Sequence, residues 1–273
     1  LSHIERTRTI TDSVIAASGK SIYQCPSSIN QYSADTEICR LNDLRNLAAL
    51  TALRANVALD TGKTDEAIAT ALSVVRLGSL MVNTEQQFLL DYVVGVAIIN
   101  IGLESLDRTL SLATTTSNET LRSAVVSLEQ SKIQQDAFAI AIRTEYMSFK
   151  AQRESLKEFS NYFYQHNKTA NKAAEVKRQM VRVSSVGCDT DNAAESEELF
   201  KLLEEVRKAP YEWSEWSYIF PNFIGKLLNS VSLASFINNY EKGCEVNEYN
   251  ERLQELLQRR ITIESVSQEG DRY

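Results

Sequence analysis

Apolar residues recur along most of the chain at spacings of three and four, the pattern of helices that bury one face. The pattern stops at short polar stretches, such as residues 114–120, and these mark the ends of the predicted helices. It predicts helices over residues 4–18, 42–62, 64–81, 85–112, 119–164 (one helix or two consecutive ones, with a continuation over 169–183), 192–208, 222–240 and 246–262.

Signals at the helix ends support a hairpin formed by the second and third of these helices. Asn42 is a predicted N-cap, and Gly62 is suited to the left-handed conformation that ends a helix. Thr64 is predicted to cap the next helix. Asp65 and Glu66 follow in its first turn, where the helix dipole favours negative charge.

The composition agrees with a helical protein. Only nine glycines and three prolines occur among 273 residues, whereas folds made of strands and turns use both residues freely. We therefore expect an all-α fold of stacked antiparallel helical hairpins or an irregular helical bundle. It is expected to form a single domain over residues 1–273, with a possible subdivision near 184–192.

Charge and hydropathy limit the classes of partner. The net charge of −7 disfavours nucleic acid, whose phosphates require a basic face. The longest apolar run, from Phe88 to Leu103, contains Asp91 and Asn100 and is shorter than the roughly 20 residues that cross a bilayer. It predicts a buried core helix, and no transmembrane span is expected in this chain.

The four cysteines lie next to loop-like residues, as disulfide-bonded cysteines often do. We expect the pairs Cys25–Cys39 and Cys188–Cys244, because the first closes a short local loop. Disulfides imply an oxidising compartment, and the start at Leu1 suggests that an upstream export signal was removed. Four reduced thiols are the alternative.

With two histidines in the chain and no C-x-x-C pair, no metal site is expected.

Four charged residues fall at the centres of apolar helix faces: Arg54, Arg76, Asp91 and Glu145. Because an unpaired buried charge costs several kcal/mol, they are expected to pair with one another, with Arg54 or Arg76 as the partner of Asp91. One interpretation is a structural network of ion pairs. The other is a polar ligand-binding pocket between helices, in which the arginines hold an anion.

The segment PYEWSEWSYIFPNF, residues 210–223, holds both tryptophans of the chain. Trp213 and Trp216 are three residues apart and would share one face of a helical turn. Such a pair can stack a sugar or a lipid chain, which makes both residues candidate ligand contacts. The alternative is an aromatic plug that closes the end of a helical bundle.

Two resemblances to known families bear on the fold. The turn in ALDTGKTDEAIATAL, with Gly62 and Ala67 at matching positions, resembles that of a tetratricopeptide repeat, and it implies a helical hairpin over about 42–81. The stretch TALRANVALDTGKTDEAI, followed by FPN at 220–222 and LLN at 227–229, is similar to a group of exported bacterial helical proteins of unknown function. This second resemblance implies an exported, periplasmic or envelope-associated protein.

Catalytic motifs are absent from the sequence, including H-E-x-x-H, glycine-rich phosphate loops and G-x-S-x-G. We therefore expect a non-catalytic interaction or scaffold protein of the bacterial cell envelope, which binds another envelope protein or a peptide without a cofactor. The alternatives are a binding protein for a small anionic ligand and a carboxylate-dependent hydrolase.

Overall fold

The computed structural model describes residues 2–23, 41–85, 87–113, 115–155 and 223–270, with Ala174, Arg178 and Val181. Within these ranges the protein consists of helices and their connections, and no strand occurs. The predicted all-α class is thus confirmed for this part. Its helices are α1 (Ser2–Ser18), α2 (Leu41–Asp60), α3 (Thr64–Val82), α4 (Leu89–Leu112), α5 (Asn118–Gln130), α6 (Ala137–Ser155) and α7 (Phe223–Gly270).

The antiparallel pair of α3 and α4 forms the centre of the fold. These helices share the most extensive contact in the described structure, because glycines allow their backbones to approach closely. A Cβ atom at Gly78 would lie 2.6 Å from the carbonyl oxygen of Gly95 and 2.7 Å from the amide nitrogen of Ile99. Both neighbours are backbone atoms and cannot rotate away, so a side chain at position 78 would force the helices apart.

The remaining helices surround this pair. Helices α1 and α2 pack on α3, and their shared core includes Val14, Ala48 and Val74. On the other side, α5, α6 and α7 enclose a larger core around α4, with Leu128 and Leu257 fully buried. Helix α4 therefore contacts α2, α3, α6 and α7.

Helices α4 and α7 run in the same direction. The Tyr92 ring lies against Gly243 near the beginning of the contact, and Arg260 Nη2 donates to the carbonyl oxygen of Leu110 at 2.6 Å near its end. Between them, the hydroxyl of Tyr249 donates to Asp107 Oδ2 at 2.8 Å. The side chains along this contact hold α7 beside α4 over several turns.

Helix α4 is long and apolar enough to cross a bilayer, judged by length and composition alone. However, 56% of its most apolar stretch is buried inside the protein, as in the core helix of a soluble protein. Helices of this kind are weak evidence for a membrane span.

The ends of the predicted hairpin are partly confirmed. Gly62 has a φ of +77° and ends α2 in the left-handed conformation, as expected. The predicted cap at Thr64 is wrong: Thr64 is the first residue of α3, and Lys63 precedes it without a side-chain capping hydrogen bond.

Two further helix predictions require correction or completion. The stretch from Glu119 forms two helices, with a break at 131–136 between α5 and α6. The predicted interruption between 240 and 246 is absent, since α7 continues through Gly243. The predicted helix over 192–208, and the possible subdivision near 184–192, lie outside the described residues.

Candidate binding cleft

Arg54, the first of the predicted site residues, fastens α1 to α2. Its Nη1 donates to Thr11 Oγ1 at 3.0 Å and forms an ion pair with the carboxylate of Asp12. The hydrogen bond from Arg54 lowers the pKa of Asp12. The Arg54 side chain is 19% exposed, so its charge is partly withdrawn from water but already has an acidic partner.

Arg76 makes a different contact. Its Nε donates to the buried hydroxyl of Ser127 at 2.8 Å, which links α3 to α5. Arg54 therefore contacts α1, whereas Arg76 contacts α5.

Asp91 is buried, as predicted, with 4% of its surface exposed, but its predicted arginine partner is wrong. Its Oδ2 accepts a hydrogen bond from the Phe88 amide at 3.0 Å, and its Oδ1 accepts one from the Tyr23 hydroxyl at 3.3 Å. Burial raises the pKa of Asp91, while these two hydrogen bonds act in the opposite direction. Asp91 lies in the first turn of α4, where a carboxylate satisfies a free backbone amide and the helix dipole favours it.

Glu145 lies half-exposed on α6. Among the described residues, no hydrogen bond or ion pair joins any two of the four predicted charges. Arg54, Arg76 and Asp91 thus have separate partners, and a shared ligand-binding site of Arg54, Arg76, Asp91 and Glu145 stays a prediction.

The other predicted site residues are mostly outside the described part of the chain. These are Trp213, Trp216, Cys25, Cys39 and Cys188, so the stacking platform and the aromatic plug both stay predictions. Cys244 is described and lies half-buried on α7.

A cleft of about 700 Å³ lies elsewhere, with α4 as its floor and α7 along one side. The floor includes the apolar side chains of Val93, Val96, Ala97 and Ile101. Val246 adds an apolar surface from α7. The residues that line the cleft on α4 run from position 93 to 104, which corresponds to roughly 16 Å of helix.

Charged side chains of both signs surround this apolar floor. The cations are Arg45 from α2 with Lys242 and Arg252 from α7, and the carboxylates are Glu104, Glu245 and Glu248. All six are exposed. The cleft therefore offers an apolar strip with balanced charge at its edges.

Tyr249 lies at one end of the cleft, and two contacts hold its side chain in place. Its hydroxyl donates to Asp107, and the guanidinium carbon of Arg252 lies 5.6 Å from the centre of its ring. Burial and the hydrogen bond to Asp107 raise the pKa of Tyr249 above its ordinary value. The aromatic ring is thus fixed at the edge of the cleft between an acidic and a basic group.

The four charges that α7 contributes to the cleft form no ion pairs with other described residues. Glu248 and Arg252 are four residues apart, in an order that favours pairing on a helix. Glu255 and Arg259 have the same spacing on the same helix, outside the cleft, and they pair at 3.6 Å. The charges that face the cleft are therefore available to a ligand.

This site was not predicted from the sequence. Lys242, Glu245, Glu248 and Arg252 fall within about 120° on a continuous helix, a signal that was present in the sequence. A break predicted between 240 and 246 separated Lys242 and Glu245 from the residues that follow. The parallel pairing of α4 with α7 is a long-range contact that local periodicity does not show.

The acidic and metal-ligating side chains of the described residues are distributed as follows. Within the described ranges, no group of three or more His, Cys, Asp or Glu side chains is placed to hold a metal ion. The carboxylates of the cleft, Glu104, Glu245 and Glu248, are exposed.

No protein-family model, no curated protein and no solved structure matches the chain.

Proposed function

We propose that this chain is a non-catalytic interaction protein and that the cleft over α4 binds a segment of a partner protein. The observation that carries the proposal is the cleft itself. Roughly 16 Å of α4 line it, its apolar residues from 93 to 101 cover roughly 12 Å of that length, and the charges at its edges form no ion pair among the described residues. A groove of this form fits a helix of about three turns that buries one apolar face.

The contacts of the arginines weigh against a small anionic ligand. Arg54 is neutralised by Asp12, and Arg76 is bonded to Ser127 in a helix contact. The cleft has three cations and three carboxylates, so its field does not favour an isolated anion. An extended partner with apolar side chains can use the floor and both kinds of charge together.

A blocking substitution in the floor tests this function. Ala97 is half-buried there, and Ala97→Trp should fill the space above α4. Ala69→Trp on α3 is the matched control, because Ala69 is exposed and does not line the cleft. Phage-displayed helical peptides selected on the wild-type protein should bind the control equally and lose at least tenfold in affinity for Ala97→Trp. Equal binding to Ala97→Trp would place the peptides elsewhere and contradict the proposal.

We also propose that the protein is exported to the periplasm or is associated with the cell envelope, and that Cys25–Cys39 and Cys188–Cys244 are its disulfides. The bonded state of Cys244 supports a disulfide at that position. Peptide mapping of non-reduced protein by mass spectrometry should find both linked pairs. Four thiols that react with an alkylating reagent, in protein taken directly from cells, would remove the argument for an oxidising compartment.

The finer architecture is likewise proposed, as a stack of antiparallel hairpins in which α2 and α3 form a tetratricopeptide-like unit. The left-handed Gly62 in the turn and the fully buried Ala67 after it support this proposal. An experimentally determined structure would test it through the packing angle between successive hairpins.

A further inference from the structure

The charges along α7 indicate which kind of segment the cleft selects. Lys242, Glu245, Glu248 and Arg252 follow one another along the cleft with the signs plus, minus, minus and plus. They extend over roughly 15 Å of helix, about the length of α4 that lines the cleft. A helix lying in the cleft would pass all four.

From this order we infer that the partner segment is an amphipathic helix whose flank facing α7 carries acidic, basic, basic and acidic residues in turn. The inference rests on the proposed function of the cleft. Opposite charges that face each other across a boundary set register and exclude wrong partners, because like charges in contact are repulsive. The apolar stripe would supply most of the affinity, and the flank would supply the selectivity.

The free state of these side chains supports this role. Glu248 and Arg252 do not pair with each other, although Glu255 and Arg259 do so at the same spacing outside the cleft. Arg252 instead lies over the ring of Tyr249, which is fixed by its hydrogen bond to Asp107. Arg252 is therefore positioned at the cleft edge by an aromatic contact that leaves its N–H groups available to a carboxylate.

The same order disfavours a second copy of this chain as the occupant. The sign pattern reads identically in both directions, so a second α7 laid alongside in register would set cation against cation and carboxylate against carboxylate. A partner of complementary sign avoids this repulsion. Arg45, on the α2 side, adds a preference for an acidic residue on the opposite flank of the bound helix.

Three synthetic peptides of about 15 residues would test the inference. All share one apolar stripe and differ only at four flank positions, which carry the complementary signs (minus, plus, plus, minus), the opposite signs (plus, minus, minus, plus; the reversed peptide) or glutamines. With the full-length protein at low salt, fluorescence anisotropy should show the complementary peptide binding about tenfold more tightly than the reversed one, with the glutamine peptide between them. The difference should shrink as salt is added, because these charges are exposed.

A charge-reversed protein provides the decisive comparison. The substitutions Lys242→Glu, Glu245→Lys, Glu248→Lys and Arg252→Glu keep the net charge, and circular dichroism would check that the helices are retained. This protein should prefer the reversed peptide. If it is less helical, the milder pair Glu245→Gln and Glu248→Gln should reduce the wild-type preference at least threefold.

The outcomes separate the two proposals. Equal affinity for the three peptides, lost on Ala97→Trp, would overturn the charge selection and leave the binding cleft standing. A preference that the charge-reversed protein does not invert would overturn the charge selection as well. Binding of none of the three peptides would overturn both proposals. Self-association of the protein that Ala97→Trp abolishes would make a second copy the occupant and would also overturn the inference.

Discussion

The hydroxyl of Tyr92 occupies the space that a side chain at position 243 would need. A Cβ atom at Gly243 would overlap the Tyr92 Oη, and the ring carbon that bears the hydroxyl would be 3.2 Å away. Tyr92 is 2% exposed and packs edge-on against Phe138, with ring centres 5.2 Å apart. Since the ring is held, the absence of a side chain at Gly243 sets how closely α7 approaches α4 beside the cleft.

Gly243→Ala should therefore destabilise the protein despite the better helix propensity of alanine. The propensity gain is about 1 kcal/mol, and the cost of overpacking a core contact is typically about 1–3 kcal/mol. We expect a net loss of up to about 2 kcal/mol in the free energy of unfolding, measured by urea denaturation.

Tyr92→Phe provides the control for this contact, because it removes the Oη atom and keeps the ring. Combined with Gly243→Ala, it should recover most of the lost stability, with a coupling of more than about 0.5 kcal/mol in the double-mutant cycle. Additive effects of the two substitutions would mean that the steric account is wrong.

Gly78→Ala should have a larger effect than Gly243→Ala. The atoms that a new Cβ would meet are the Gly95 carbonyl oxygen and the Ile99 amide, which belong to the α4 backbone. The helices can only separate, so the cost should be about 3 kcal/mol or more. Gly19→Ala is a suitable control, since its Cβ would have an ordinary neighbour at 3.6 Å. Similar melting temperatures for the two variants would contradict the close backbone contact.

The sequence predicted those helices whose limits depend on local chemistry. Gly62 ended α2 where its conformational freedom indicated, and the apolar face of α3 gave nearly the observed helix. The break between α5 and α6 was not located, because distant side chains hold it. Asn83, which follows α3, and Asn247, which lies on α7, form hydrogen bonds with the backbone of residues 132–134.

In the candidate site, too, the features set by local chemistry could be predicted, whereas those set by distant contacts could not. Burial of Asp91 followed from its apolar surroundings, but its partners depend on where α4 begins, and a start at Leu89 places it within reach of the Phe88 amide. The break predicted between 240 and 246 contains Gly243, and glycine has low helix propensity. The contact of Gly243 with Tyr92 is a tertiary one, which the local pattern of the sequence does not show.

Asp91 should make stability depend on pH. Because burial raises its pKa in the folded protein, the folded state holds the proton more tightly than the unfolded chain does. Its contribution to stability is therefore fully present below the unfolded pKa of about 3.9 and is lost as the pH rises through the raised folded pKa. Asp91→Asn cannot ionise, so its stability relative to the wild type should increase over this interval and stay constant above it.

Urea unfolding of both proteins between about pH 3 and pH 8 measures this difference directly. Other carboxylates contribute equally to both proteins and cancel in the comparison. A difference that is constant over the whole range, or that favours the wild type as the pH rises, would contradict the assigned direction of the Asp91 pKa.

Asp91→Ala separates the observed capping role from the expected ion pair. Removing a capping acceptor costs about 0.5–2 kcal/mol, whereas leaving a buried arginine unpaired costs about 3–5 kcal/mol. Since Asp91 accepts from Phe88 and Tyr23, the loss should be about 1–2 kcal/mol. Thermal unfolding would measure it, and a loss above 3 kcal/mol would support a cationic partner after all.

Asn247 should be among the most sensitive polar residues of α7. Its Oδ1 accepts from the Ile133 amide at 2.9 Å, and its Nδ2 donates to the Ile133 carbonyl oxygen at 3.0 Å, so one side chain satisfies both backbone groups of a residue that is 8% exposed. Asn247→Leu keeps a similar volume but leaves both groups unpaired, at about 1–3 kcal/mol for each buried group. We expect a loss of about 2–4 kcal/mol and markedly faster hydrogen exchange at the Ile133 amide.

Asn239→Leu, on the same helix and half-buried at the cleft, should cost less than 1 kcal/mol and leave that exchange rate unchanged. An Ile133 amide that stays protected in Asn247→Leu would show that the turn between α5 and α6 is held without this residue.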